Sequence, residues 1–338
     1  MLYKTTREIN DAYTAYRALH ENAAPDGGAF VPFRMPSLTA QEIDVLASGG
    51  FSAAVAEIIN KFFSTQLTAW DVDFYIGRNA LKLESVPHRM LVAELWHNPD
   101  GNLNYLCNAL YNKVCNSIAE TPTECFLVAS HIAVLFGIYC EMRKNDAISA
   151  GDTFDVTVLA NKLSMPVAAL YARQMGLPIE SIILTCEDDG NLWDMINLGE
   201  LSAAASNSDP VGIERFIHAS LGYSGVEELR KSLCNQKTFR ISEEQLMTLR
   251  EGVFCSVVGN ARGMQNINSV YRSNNYIMDI SAALAVSGVQ DFRAKTGESR
   301  LTLVLACTSP NRCLDSISSA TGISRDNLAM LLKNPKDR

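Results

Sequence analysis

The sequence predicts an α/β fold, a parallel sheet flanked by helices, preceded by a helical N-terminal region. Three observations carry that expectation. From Asp155 onward short apolar runs that suit strands alternate with helical patterns, before residue 90 capped amphipathic segments follow one another, and between them 125–142 is apolar on nearly every side. At 338 residues, 47% hydrophobic and 20% charged, the chain can bury a large core. It suits two domains or one large domain with an appendage.

In chain order, Thr39-x-x-Glu42 is a capping box opening a short helix that stops at Gly49-Gly50. Ser52 can cap the next helix, whose Val55, Ile58, Ile59, Phe62 and Phe63 share one face. A layer with one apolar stripe must pack on something larger. The segment 125–142 contains Ser130 and His131, lies between Glu124 and Glu141, and falls short of the ~20 continuous apolar residues that span a bilayer. A buried core helix is expected there. Residues 156–159 read as a strand, 167–175 as a helix ended by Gly176 and Pro178, 182–185 as a strand, and 192–198 as a helix ended by Gly199. Two strands joined by a helix make a βαβ unit and imply parallel pairing. Later, Ser242-x-x-Gln245 caps a helix carrying Leu246, Leu249 and Val253, and 301–306 is a further strand.

Charge and cysteines limit the partners. A formal charge of -8 and a pI near 5.2 disfavour a phosphate backbone or an anionic membrane, so neither nucleic acid nor membrane is expected as a partner. Nine cysteines without a CxxC pair suit reduced thiols and a cytoplasmic location. The stretch Met1 to Arg7 has no apolar core of the kind a secretory signal carries.

The chemistry-bearing constellations are sparse. Glu94-x-x-His97 supplies half of a di-metal carboxylate pattern, and without a second such pair it reads as the polar end of a buried segment. Asp100-x-Asn102-x-Asn104 resembles the start of a calcium loop, but Tyr105 stands where glycine is needed and Tyr111 where glutamate is, which leaves turn chemistry. The five histidines show no metal spacing, so no metal is expected. Cys186 and Cys307 follow strands, where each is either a nucleophile or a small buried hydrophobe.

Several strings, in order, resemble threonine synthases, enzymes of the pyridoxal-phosphate fold type II. Tyr3 to Arg7 resembles that family's Y-x-S-T-R, and Asp26 to Pro32 its D-G-G-L-(Y/F)-V-P. Tyr171 to Ile179 resembles Y-A-K-K-M-G-L-P-I, Phe239 to Glu244 resembles F-K-V-S-x-E, and Tyr276 to Asp279 and Thr308 to Arg312 resemble the last two signatures. Glu94 to Tyr105 is similar to the family's lysine segment, E-L-(F/W)-H-G-P-T-L-A-F-K-D-F, but Asn104 occupies the lysine position. A carboxamide cannot form the imine with pyridoxal phosphate.

The resemblance implies a threonine-synthase-like N-terminal region over 1–90 and a large α/β domain over 91–338. It also implies that the small lobe closing over the cofactor is largely deleted near 115–116. The glycine-rich phosphate loop becomes Asn161, Lys162, Leu163, Ser164 and Met165, so cofactor binding is expected to be lost, with Lys162 left as a point charge or a solvated loop lysine. The family's neutral amides become Glu187, Asp188 and Asp189. Its D-P-H-T-A becomes Asp279 to Ala283, so Asp279 is either a remnant of the site or a helix cap, and Ser309 and Arg312 remain from the last signature.

Two readings follow. In the first, the scaffold is non-catalytic and binds a small amino-acid-like ligand or a protein partner, with homo-oligomerisation favoured by surface that the lost lobe uncovers. In the second, new acid–base chemistry uses His97, Asp188, Asp189, Asp279 and Ser309 without the coenzyme. His88 and Arg312 are ligand candidates beside the same cleft.

Overall fold

The computed structural model describes residues 1–7, 10–187, 191–206 and 209–333. The chain opens on an antiparallel sheet in the order β2-β1-β3, built from β1 (Leu2–Thr5), β2 (Tyr13–Thr14) and β3 (Phe30–Pro32), with α1 (Ala15–His20) after β2. Helices make up most of the regular structure before residue 90, and the short strands beside them were not expected. Strands of two to four residues are too short to show a period of two, and only their pairing reveals them.

α2 (Ala40–Phe63) starts at the capping box of Thr39 and Glu42 and turns sharply at Gly50, where φ is 74°. The Glu141 carboxylate, from a later helix, accepts Phe51 N–H at 3.0 Å. A Cβ on residue 50 would lie 2.7 Å from Glu141 Oε1, so glycine is needed both for the positive φ and to admit that carboxylate. Glu141 thus supplies the cap expected of Ser52, whose hydroxyl donates instead to Asp73 Oδ1 at 2.5 Å. α3 (Ala69–Ile76) follows, and β4 (Lys82–Val86) and β5 (Met90–Glu94) form a hairpin.

α4 (Leu103–Cys115) and α5 (Glu124–Lys144) are joined by residues 116–123, which hold neither helix nor strand. α5 is the core helix expected at 125–142. It is long and apolar enough to cross a membrane by length and composition, yet 89% of its apolar window is buried within the fold. Gly137 lets it approach α2, since a Cβ there would lie 2.6 Å from Phe51 Cδ2.

β6 (Phe154–Leu159), α6 (Ser164–Gln174), β7 (Ile179–Cys186) and α7 (Asn191–Asn197) follow the expected pattern, and β6 and β7 pair in parallel. β8 (Glu200–Ser202), α8 (Ala203–Ser206), α9 (Pro210–Gln236) and β9 (Thr238–Arg240) come next, β8 pairing with β9. α10 (Glu243–Arg250) opens at the expected Ser242 and Gln245 box but ends before Val253. Gly252 turns the chain with φ of 65°, and Val253 begins β10 (Val253–Val257). α11 (Asn260–Asn274), α12 (Ile280–Thr296), β11 (Thr302–Ala306), a 3-10 turn (Pro310–Cys313), α13 (Leu314–Thr321) and α14 (Arg325–Lys333) complete the chain.

Six strands form the central sheet in the order β10-β7-β6-β11-β5-β4, parallel except for the edge strand β4. Every residue of β5 and β11 is buried, and Met90 to Ala93 and Leu303 to Ala306 are continuous apolar runs, as in strands covered on both faces. One core cluster joins Tyr3, α2, α5 and α6 to Leu305, and another packs α11 to α14 on the opposite face of the sheet. The division drawn at residue 90 falls on the first residue of β5, and the larger core cluster crosses it.

Candidate functional site

The parallel strands end together at Glu94, Leu159, Cys186, Val257 and Ala306. β7 and β10 lie on one side of β6, and β11 and β5 on the other, so the strand order switches beside β6. Open α/β sheets offer their ligand crevice at the carboxyl ends of the strands at such a point. A cleft of about 320 Å³ lies there. Leu159 and Leu305 give it an apolar lining, while Asn102 and Asn104 from the start of α4, His131 from α5, Asn161 and Lys162 after β6, and Cys307 and Thr308 after β11 give it polar groups.

The first turns of α6 and α12 also reach the cleft, through Ser164 and Ser281. Three helix N-termini therefore border one space, and their N–H groups favour negative charge. Asn102 caps α4 by accepting Tyr105 N–H at 3.2 Å, and Asp279 caps α12 by accepting Ser281 and Ala282 N–H at 2.9 and 3.2 Å. α6 has no side-chain cap.

His131 is 6% exposed, and its Nδ1 is buried without a hydrogen-bond partner. Burial pulls this imidazole down to about 4 against an opposing hydrogen bond with the Ser164 backbone, so it is neutral at pH 7. An unpaired buried nitrogen costs free energy unless something in the cleft pairs with it. Burial pushes the Cys307 thiol up to about 12, with Asp279 adding to the effect. A thiol so held is protonated at neutral pH and is a poor nucleophile. Cys186 lies with its Sγ 3.6 Å from that of Cys255, inside the sheet.

Beside the cleft lies a buried acid cluster. Glu94, fully buried at the end of β5, accepts the Tyr276 hydroxyl at 2.8 Å and sits 2.7 Å from His97 Nε2. The His97 ring stacks on Trp96, with centroids 4.0 Å apart. Glu94 and His97 thus meet across a strand end rather than along a helical turn. Asp279 is 1% exposed and keeps Oδ2 unpaired. Burial raises its carboxyl to about 7, the cap hydrogen bonds opposing and the Glu94 charge adding to the rise.

The other expected residues scatter. Ser309 is buried, accepting Asn311 N–H, while its own N–H donates to Gly101 O at 2.8 Å. Arg312 is exposed on the 3-10 turn. His88 is exposed in the β4–β5 turn, at the opposite end of the sheet from the cleft, where its carbonyl accepts from Arg293. Asp188 and Asp189 lie outside the described residues. Sequence reading passed over His131, Ser281 and Tyr276. A polar pair, Ser130 and His131, inside an apolar helix was the available signal for the first.

Residues 2–79 match the family model described as threonine synthase N terminus. The whole fold superposes on a pyridoxal-phosphate-bound threonine synthase from Brucella melitensis with a TM-score of 0.77, at 18% identity, over 96% of this chain and 92% of that one. The chain is threonine-synthase-like. Threonine synthase from yeast superposes with a TM-score of 0.74 at 13% identity, over 94% of this chain and 89% of that one. Threonine synthase-like 1 from Homo sapiens is 27% identical over 160 residues, 44% of this chain and 22% of its own length, and the protein of that name from Pongo abelii matches to the same extent. The aligned part thus spans about a fifth of these curated relatives. Within this threonine-synthase-like frame, Asn104 and the loop residues Asn161, Lys162, Ser164 and Met165 all border the same cleft.

Proposed function

We propose that this threonine-synthase-like chain is a binding protein that has left pyridoxal-phosphate chemistry behind, and that its cleft holds a small amino-acid-like or phosphorylated amino-acid ligand noncovalently. The observation that carries the reading is Asn104. It stands on the cleft wall, at the start of α4, where the resemblance expects the imine-forming lysine. Residues 161–165 also lack the glycine-rich backbone cradle that the coenzyme's phosphate requires. Leu163 and Met165, 5% and 7% exposed, place buried side chains in a stretch where a phosphate cradle needs bare backbone, and the Asn161 amide is engaged with Glu187 at 3.0 Å. What remains suits a small anion with hydrogen-bonding groups: three helix N-termini, Lys162, and the unpaired nitrogen of His131.

The test is a pyridoxal-phosphate titration with borohydride trapping, then a thermal-shift screen of amino acids and phosphorylated amino acids. The expected result is no visible imine band and a stabilised midpoint with one ligand class, since a ligand at 100 times its dissociation constant contributes ~2.7 kcal/mol. A trapped adduct on Lys162, or threonine formed from O-phosphohomoserine, would overturn the reading.

A second reading, coenzyme-free acid–base catalysis, is favoured by the Glu94, His97 and Tyr276 cluster beside Asp279, whose carboxyl titrates near neutral pH. It requires turnover that Asp279→Asn abolishes while ligand binding persists. We further propose self-association through the exposed face of α3, where Trp70 and Phe74 are 63% and 66% exposed and stack at 5.1 Å. Sedimentation of Trp70→Ser alongside the parent checks this, and an unchanged sedimentation profile would remove it.

A further inference from the structure

Outside the cleft, Arg215 of α9 is 2% exposed, and two of its guanidinium nitrogens, Nε and Nη2, are buried without a hydrogen-bond partner among the described residues. Its neighbour Glu214 is engaged with Arg7, at 2.9 Å to Nη2 and 3.0 Å to Nε, and with the Thr6 hydroxyl. No salt bridge reaches Arg215 among the described residues. Arginine keeps its charge at any pH a folded protein meets, and an isolated buried charge is very costly. Something must answer that charge.

Arg215 borders a small cavity with Phe30, Phe62, Cys125 and Tyr171, where β3, α2, α5, α6 and α9 meet. The cavity offers about 10 Å³ to the centre of a water-sized sphere. That is close to the lower limit for one water, so a slightly larger monatomic ion fits as the lining side chains give by a few tenths of an ångström, and a carboxylate or phosphate group is excluded. The lining supplies no negative charge of its own. Burial pushes the Cys125 thiol up to about 12 and pushes the Tyr171 phenol up as well, the Arg215 charge opposing both, so each keeps its proton and can donate.

We propose that this cavity is a monatomic-anion site, in which a chloride ion is held by Arg215 Nε and Nη2, with the Tyr171 hydroxyl as a further donor while its oxygen accepts from His218 Nδ1–H at 3.5 Å. A water molecule in the same space would accept hydrogen bonds but leave the guanidinium charge unanswered, whereas a halide does both. Because β3 and α2 come from the N-terminal part of the chain and α6 and α9 from the α/β part, the ion joins the two across one point.

The experiment uses the intact protein, with chloride replaced stepwise by gluconate at fixed ionic strength. The thermal midpoint is expected to fall by roughly 2–4 °C along a saturable curve, and bromide is expected to restore it. Crystals soaked in bromide are expected to show an anomalous peak beside Arg215. In Arg215→Met the difference between chloride and gluconate should vanish. A midpoint indifferent to the anion present, or bromide-soaked crystals with no peak at Arg215, overturns the assignment. Those two readings come from the unaltered chain and decide the matter even if Arg215→Met does not fold.

Discussion

Along α5, Phe126, Ile132, Phe136 and Ile138 are wholly buried in the core it shares with α2, and these side chains have nothing polar left to pair. Elsewhere on the same helix, Ser130 Oγ and His131 Nδ1 are buried without partners, and His131 faces the cleft. Across the cleft edge Asp279 Oδ2 and Trp96 Nε1 share that condition. The two regions bury their side chains equally deeply and differ in what completes them. That stretch of the α2–α5 interior is closed by its own apolar complement, while the strand ends hold polar groups with no partner among the described residues.

The largest test of that contrast is Phe126→Ala. Phe126 is fully buried, with ring centroids 5.3 Å from Phe63 and 5.1 Å from Tyr111. The cavity left behind should cost about 3–5 kcal/mol in urea unfolding, and a much smaller loss would mean that the α2–α5 interior is looser than drawn.

Next comes Asp279, whose folded carboxyl sits at about 7 because of burial, against about 3.9 in an unfolded chain. Its folded value is raised, so its contribution is fully present below about pH 4 and is lost as pH rises to about 7. Asp279→Asn keeps a capping oxygen but removes the titration, so its stability should decline less than the parent's over that window, by a few kcal/mol in order of magnitude. His131 and His218, both pulled down to about 4 by burial, act in the opposite sense, losing stability as pH falls from about 6.5. The difference between variant and parent is therefore the readout, and parallel pH profiles would refute the assignment.

Gly50→Ala tests the interior side from the backbone. It combines positive φ with a close approach to Glu141, and should lower stability by about 1–2 kcal/mol, read as a lower urea midpoint at unchanged slope. His131→Leu should give the smallest effect. It removes an unpaired buried nitrogen together with the hydrogen bond to the Ser164 backbone, two changes of opposite sign, so the ligand-free protein should change by less than about 1 kcal/mol, while the midpoint shift with the ligand class shrinks. A full ligand response in that variant would take His131 out of the cleft's function.

The parts of the fold legible in the sequence were those governed by neighbours along the chain. The capping boxes at Thr39 and Ser242 form as expected, because a cap links residues three apart. The strands at 156–159 and 182–185 and the buried helix at 125–142 also lie where their patterns place them. The short strands β1 to β3 gave no pattern to read, and β5 was not read as a strand because the segment noticed for its chemistry begins only at its last residue, Glu94. Of the site, Asn104 and the loop residues 161–165 were legible through resemblance, whereas His131 was masked by the apolar helix around it.

By itself, then, the sequence determined the local elements, which are properties of residue type and short spacing, and through resemblance it gave the expectation that Asn104 stands where the family has its lysine. Only the tertiary structure decided that Asn104, His131, Lys162 and Ser281 border one cleft, that Glu141 rather than Ser52 caps the second half of α2, and that Arg215 Nε and Nη2 are buried without a partner among the described residues. Each of these depends on contacts between elements distant in the chain, and burial, which sets the protonation of His131 and Asp279, exists only once those elements have packed.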